Sequence, residues 1–187
     1  MNSKRIICNT SPIIGLISIG KLSLLGELFD ELILPEAVYR ELCADSSAHQ
    51  KEIDEIKDCV RKGYFKIYSV KNSEMVKSMY GKLHYGELEV IVAAKELGLQ
   101  MAIIDEKAAR KMASEFLVDT IGILGILILA KQRGLVKCIK PDVDKLRMNG
   151  YRISDELYIQ ILTKAGEKVW LVFGVFLLYT LLFRSFL

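Results

Sequence analysis

Apolar residues along this chain alternate between short unbroken runs and helical spacing, and the alternation predicts strands interleaved with helices. The runs at Arg5 to Cys8, Glu31 to Leu34, Tyr64 to Val70 and Met101 to Ile104 read as strands, the second stopped by Pro35. Leu117 to Asp119 is a candidate fifth. Ser11 and Pro12 read as the N-cap and first residue of a helix. Further helices are expected over Leu22 to Phe29, Glu36 to Cys43 and His49 to Lys62, the last with Ile53, Ile56 and Val60 at spacings of three and four. Glu87 to Leu97 is a strong helix closed by Gly98. Glu106 to Glu115, the nearly all-apolar Ile121 to Gln132, Pro141 to Arg147 and Ser154 to Ala165 complete the set. Strand–helix alternation of this kind predicts a three-layer α/β/α sandwich around a parallel sheet of four or five strands.

Composition adds few constraints. The chain has 187 residues and is 51% hydrophobic, enough for one domain with a sizeable core. Net charge is +3, but Lys168 to Leu187 holds two basic residues and no acid, so the remainder is nearly neutral. Whole-body charge therefore does not point to nucleic acid, and any such contact must come from a local basic patch. Cys8, Cys43, Cys59 and Cys138 form no CxxC pair, and His49 and His84 are the sole histidines, which argues against zinc. Scattered cysteines suit buried packing in a reducing cytoplasm. Val169 to Phe183 is free of charge over 15 residues. As a helix this spans about 22 Å, short of the ~30 Å hydrocarbon core. Its aromatic residues recur at three or four, a stripe suited to the protein body or to a second subunit, with a membrane anchor as the alternative. The chain thus divides into a sandwich domain over 1–140, a helical extension over 141–167 and an apolar tail over 168–187.

In open parallel sheets, sites form beyond the carboxyl ends of the strands. Asn9, Thr10 and Ser11 follow the first strand, Asp105 and Glu106 follow the Met101 strand, Glu87 and Glu89 open the preceding helix, and Glu41 lies on the helix after Pro35. Carboxylates converging at one sheet edge repel each other, and a hard divalent cation with a preference for oxygen ligands relieves the repulsion. Each residue also has a plainer role: Asn9 to Ser11 as turn and caps, Glu41 as a solvated helix residue, Glu87 and Glu89 as first-turn acids favoured by the helix dipole, and Asp105 as a cap. Two residues apart, Glu87 and Glu89 cannot both face one site from a regular helix. Asp105 is the strongest candidate, since an acid directly ending a buried apolar strand is costly to place. Arg110 and Lys111 could meet phosphate or water, and Lys82, His84 and Tyr85 make a polar patch suited to single-stranded RNA.

The stretches IICNTSPIIGLISIGKLSLLGELF, LPEAVYREL, HYGELEVIVAAKELG, AIIDEKAARKMA and DTIGILGILILAKQRGL, with RISDELY further on, resemble the PIN-domain family in order, and within it a prokaryotic branch related to VapC-type toxins. The resemblance implies a metal-dependent endoribonuclease using Mg²⁺ or Mn²⁺, with RNA as substrate and an antitoxin protein or a second copy of the chain as partner. It places Asn9 where most members have the first metal-binding Asp, Glu41 at the second acid, Glu87 and Glu89 in the segment of the third, and Asp105 and Glu106 at the acid ending the fourth strand. Catalysis then rests on Asp105, Glu89 and Glu41, and Thr10, Ser11 and Arg110 would contact substrate. Asn9 is the departure: an amide oxygen can ligate a hard ion but brings no charge. The alternative is a weak or inactive PIN fold that binds RNA or protein without cutting.

Overall fold

The computed structural model describes residues 4–44, 50–81 and 83–168. Its centre is a five-stranded sheet, β1 (Arg5–Cys8), β2 (Glu31–Pro35), β3 (Phe65–Tyr68), β4 (Met101–Ile103) and β5 (Asp119–Ile121), parallel throughout and ordered β3-β2-β1-β4-β5. The helices are α1 (Thr10–Ser18), α2 (Ser23–Leu28), α3 (Glu36–Ala44), α4 (Gln50–Arg61), α5 (Ser73–Met79), α6 (Tyr85–Glu96), α7 (Lys107–Glu115), α8 (Ile123–Gln132), α9 (Lys140–Met148) and α10 (Asp155–Lys164). α6 lies over β1, β2 and β4 with α3 and α5 packed on it, while α2, α1 and α10 pack against α8. Helices thus flank the sheet, and the architecture is the expected α/β/α sandwich.

The strands are apolar because both faces of the sheet are covered. Ile6, Ile7, Leu34, Ala102 and Ile103 are completely buried, and one core runs from them into α1, α6 and α8. Val143 and Leu146 of α9 and Leu162 of α10 are completely buried in that same core. At about 1.5–3 kcal/mol for each fully buried aliphatic side chain, this packing holds the last two helices firmly to the sandwich. A smaller cluster of Val76, Leu88 and Val92 seats α5 against α6.

Several boundaries differ from the sequence expectation. α1 begins at Thr10, capped by Asn9 rather than Ser11, so Pro12 is its third residue. Pro is tolerated there because the first four N–H groups of a helix have no internal partner. Pro35 does not stop β2 but is its last residue, paired with Tyr68. The fifth strand is Asp119–Ile121, because Leu117 terminates α7 instead. Leu117 adopts φ 58° and its N–H bonds Ser114 O, while Val118 N–H reaches Ala113 O. That is a Schellman closure, with an 84% exposed leucine where glycine is usual. α5 was not expected: seven residues with a single buried side chain give too little periodicity, although Asn72 caps it by accepting from Met75 N–H. Of the free cysteines only Cys8 is buried, and Cys138 is exposed. His49, Lys82 and the apolar segment 169–187, with its expected packing or anchoring helix, lie outside the described residues. Among the described residues, no helix is long and apolar enough to cross a membrane.

Candidate active site at the carboxyl edge of the sheet

Strand order reverses between β1 and β4, and their carboxyl ends lie side by side, with Cys8 opposite Ile103 and Asn9 N–H donating to Ile103 O at 3.0 Å. This switch point is where open α/β sheets leave a crevice, because the loops from the two strands diverge. A cavity of about 1110 Å³ opens there. Glu41, Glu87, Asp105 and Glu106 line it, with Ser11, His84, Tyr85, Tyr151 and Arg152.

Asp105 follows buried Ile104 at the end of β4 and is half-buried. It does not cap the helix that follows it. Oδ1 accepts the N–H of Ile123 at 3.0 Å, in the first turn of α8, and Oδ2 accepts the hydroxyl of Tyr151. Burial pushes its carboxyl above the ordinary range, and the Tyr151 hydroxyl, the Ile123 amide and the charge of Arg110 do not offset it. Burial and the facing Asp105 likewise push the Tyr151 phenol up, so Tyr151 stays a proton donor to the carboxylate. Gly122 makes room for this arrangement, since a Cβ there would strike Asp105 Oδ1.

Glu41 is not a free surface group. Thr10 Oγ1 donates to its Oε2 at 2.5 Å and Gly86 N–H donates to Oε1 at 3.2 Å, which ties α3 to the first turns of α1 and α6. A Cβ at Gly86 would lie 2.6 Å from Oε1, so glycine is required for the carboxylate to reach the amide. Two acids and two glycines are therefore paired across the chain: Glu41 with Gly86, and Asp105 with Gly122.

Glu87 and Glu89 are each 7% exposed but part company. Glu87 lines the cavity and accepts His84 N–H at 3.0 Å, the return bond of a capping box. Burial raises its carboxyl, and the charges of Glu106 and Glu41 add to the rise against the pull of His84. Glu89 points to α3 instead, where Oε2 accepts Ala37 N–H at 2.8 Å. Asn9, 4% exposed, uses its amide oxygen on Thr10 N–H at 2.8 Å and is not among the residues facing the cavity. Thr10 is engaged by Glu41, Ser11 is exposed on the cavity wall, and Arg110 lies on the far side of Asp105, bonded through Nε to Thr120 Oγ1 at 3.1 Å.

The structure thus gathers Glu41, Glu87, Asp105 and Glu106 on one cavity and turns Asn9 and Glu89 to the capping of helices. Among the described residues, no three His, Cys, Asp or Glu side chains come close enough to hold a metal ion as they stand. The reason is visible in the hydrogen bonds. In a parallel sandwich the helix N-termini crowd the same edge as the acids, and their N–H groups hold Glu41, Glu89 and Asp105 apart. The donor set nevertheless suits a hard divalent ion in kind, being all oxygen and rich in carboxylate. Tyr151 and Tyr80 had escaped the sequence reading. Tyr151 lies 46 residues beyond Asp105 in a loop with no periodicity. Tyr80, 66% exposed on the cavity rim with its ring 5.7 Å from that of Tyr85, follows the unforeseen α5.

A doubly flanked parallel sheet with acids at its switch point defines a doubly wound α/β domain with an acidic crevice at its carboxyl edge. The sequence profile of the PIN domain matches residues 5–167, and the chain belongs to the PIN-domain family. PIN domains generally use divalent metal ions. No curated protein matches the chain.

Proposed function

We propose that this chain is an endoribonuclease of PIN type that hydrolyses phosphodiester bonds in RNA with Mg²⁺ or Mn²⁺. The observation that carries the reading is Asp105, an acid at the switch point whose charge the fold leaves under-compensated, sharing one cavity with Glu41, Glu87 and Glu106. Asp105, Glu41 and Glu87 would hold the ion, with Glu106 at the rim. When bound, such an ion supplies Lewis acidity, making water a stronger acid and offsetting charge on the phosphate. The protein's own groups do the rest. Tyr151 and the Ile123 amide orient Asp105, and Thr10 and the Gly86 amide orient Glu41. Asn9 acts through Thr10, and Glu89 through α3. Ser11, on the cavity wall, would bond a phosphate oxygen, and Tyr80 and Tyr85 would offer faces to unpaired bases. Residues 141–167 then belong to the working unit, because they bring Tyr151 to the site. The resemblance to VapC-type proteins extends the reading to a cytoplasmic toxin silenced by an antitoxin protein.

The test is cleavage of single-stranded RNA by the purified chain in Mg²⁺ or Mn²⁺. Cleavage is expected, and it is expected to vanish in excess chelator and in Asp105→Asn. Robust cleavage by that variant, or in chelator, would sink the proposal. The neutral, cap-forming Asn9 favours a second reading, an RNA- or protein-binding module that does not cut. Activity created by Asn9→Asp in a native chain that binds RNA but does not cut it would favour that reading.

A further inference from the structure

A groove of about 580 Å³ runs between α8 and α10 and meets the acidic cavity at Asp105, Tyr151 and Arg152, which line both. Its charge is the reverse of the cavity's. Asp105 at the junction is its sole acid among the described residues, and Arg110, Arg152 and Lys164 are its cations. All three are exposed, and among the described residues none is in an ion pair. Cations nearby are used internally: Lys131 Nζ lies 2.7 Å from Glu167, and Arg147 pairs with Asp155 at 2.8 Å and sits over the Tyr158 ring. The groove is therefore a line of positive charge outside these ion pairs, with Arg110 bonded to the neutral Thr120, that leads out of an acidic centre. Arg152 precedes α10 and Lys164 is its last residue, and the ten residues of that helix span about 15 Å, so the two are set against different phosphates.

We propose that this groove is the track for the sugar–phosphate backbone of a single-stranded RNA running out of the acidic cavity, with Arg110, Arg152 and Lys164 set against separate phosphates. The proposal rests on the nuclease reading for the identity of its ligand. A recessed Asp105 favours an unpaired strand, which can bend into the cavity where a duplex cannot, and the apolar wall of the groove suits the faces of splayed bases.

The experiment measures binding of a 12-nucleotide single-stranded RNA to the full chain carrying Asp105→Asn, by fluorescence anisotropy over a range of salt concentrations. Adding Arg152→Gln and Lys164→Gln is expected to weaken binding about tenfold or more and to flatten the salt dependence by about 0.7 in log–log slope for each phosphate no longer neutralised. Lys51→Gln with Lys57→Gln on α4, remote from the groove, is expected to change neither. An unchanged affinity or salt slope in the groove variant, or an equal loss in the α4 variant, overturns the track. So does an acidic peptide of matched charge that displaces the RNA at equal concentration, which would make the groove a protein-docking surface. Cleavage by the native chain in Mn²⁺ is scored separately. Cleavage with groove-independent binding removes the track alone, whereas groove-dependent binding without cleavage removes the catalytic reading and supports the track.

Discussion

Two half-buried carboxylates in this molecule meet the same first force and end in opposite states. Glu167, at the corner where α8, α9 and the end of α10 meet, accepts from Ile139 N–H at 2.6 Å, Lys140 N–H at 2.9 Å, the Cys138 thiol at 2.9 Å and Lys131 Nζ at 2.7 Å. Burial pushes its carboxyl up, but these donors outweigh burial and hold it at about 2. Asp105 is pushed up by burial too, and its two uncharged donors with the more distant Arg110 leave it raised. The count and charge of donors decide the outcome. At Glu167 the fold compensates the charge by itself, and the group is a staple. At Asp105 the compensation is incomplete, and on the same cavity wall Glu106 and Glu41 add like charge at Glu87. That shortfall of donors at the switch point is what the proposed cation would offset.

Neutralising each acid breaks the comparison in opposite directions. Asp105→Asn is expected to lower RNA cleavage by at least ~10²-fold, while its melting temperature stays equal or rises, because the amide oxygen can still accept the Ile123 N–H and the charge penalty is gone. Glu167→Gln is expected to do the reverse: cleavage below its melting temperature persists, and stability falls by about 2–3 kcal/mol, since an amide cannot accept from four donors. The carboxyl of Glu167 lies below its ordinary value, so its stabilisation is complete above about pH 4.5 and fades as pH falls toward about 2. Acid unfolding followed by circular dichroism should therefore show a component in that window for the native chain that Glu167→Gln lacks.

The glycines sharpen the contrast within the site. Gly86→Ala places a Cβ against Glu41, and Gly122→Ala places one against Asp105. Each is expected to cost about 1–3 kcal/mol of stability and to reduce cleavage together with it, whereas Gly26→Ala, where no atom lies near the added carbon, is expected to leave cleavage unchanged. The smallest effect expected is at the rim. Tyr80→Ala should weaken binding of single-stranded RNA by about 1 kcal/mol, the low end for loss of one stacked base, as measured by anisotropy.

What the sequence disclosed follows from the range of the forces involved. β1 and β4 were legible because strands covered on both faces read as unbroken apolar runs, and Asp105 stood out as the acid that ends one. The spacing of Glu87 and Glu89 already required them to face different neighbours. Which of the two faces the cavity depended on where α3 docks, a tertiary fact that gave Glu89 to Ala37 N–H. Glu41 read alone as a solvated residue, because its partners Thr10 and Gly86 lie 31 and 45 positions away. The capping role of Asn9 was within reach, since Asn is a strong N-cap, but Ser11 beside Pro12 offered a competing signal of equal local quality. Tyr151 and Glu167 were beyond reach: each acts across the fold, from a loop or a helix end with no pattern to mark it.

On the proposed reading, the cavity acids await a cation that the fold does not supply. Titration of Mn²⁺ into the full chain at about pH 7, where carboxylates are ordinarily ionised, read by calorimetry, tests it without recourse to substrate. Saturable binding is expected in the native chain and in Glu167→Gln, with loss of that binding in Asp105→Asn. Binding that survives unchanged in Asp105→Asn, or is absent from the native chain, would contradict it.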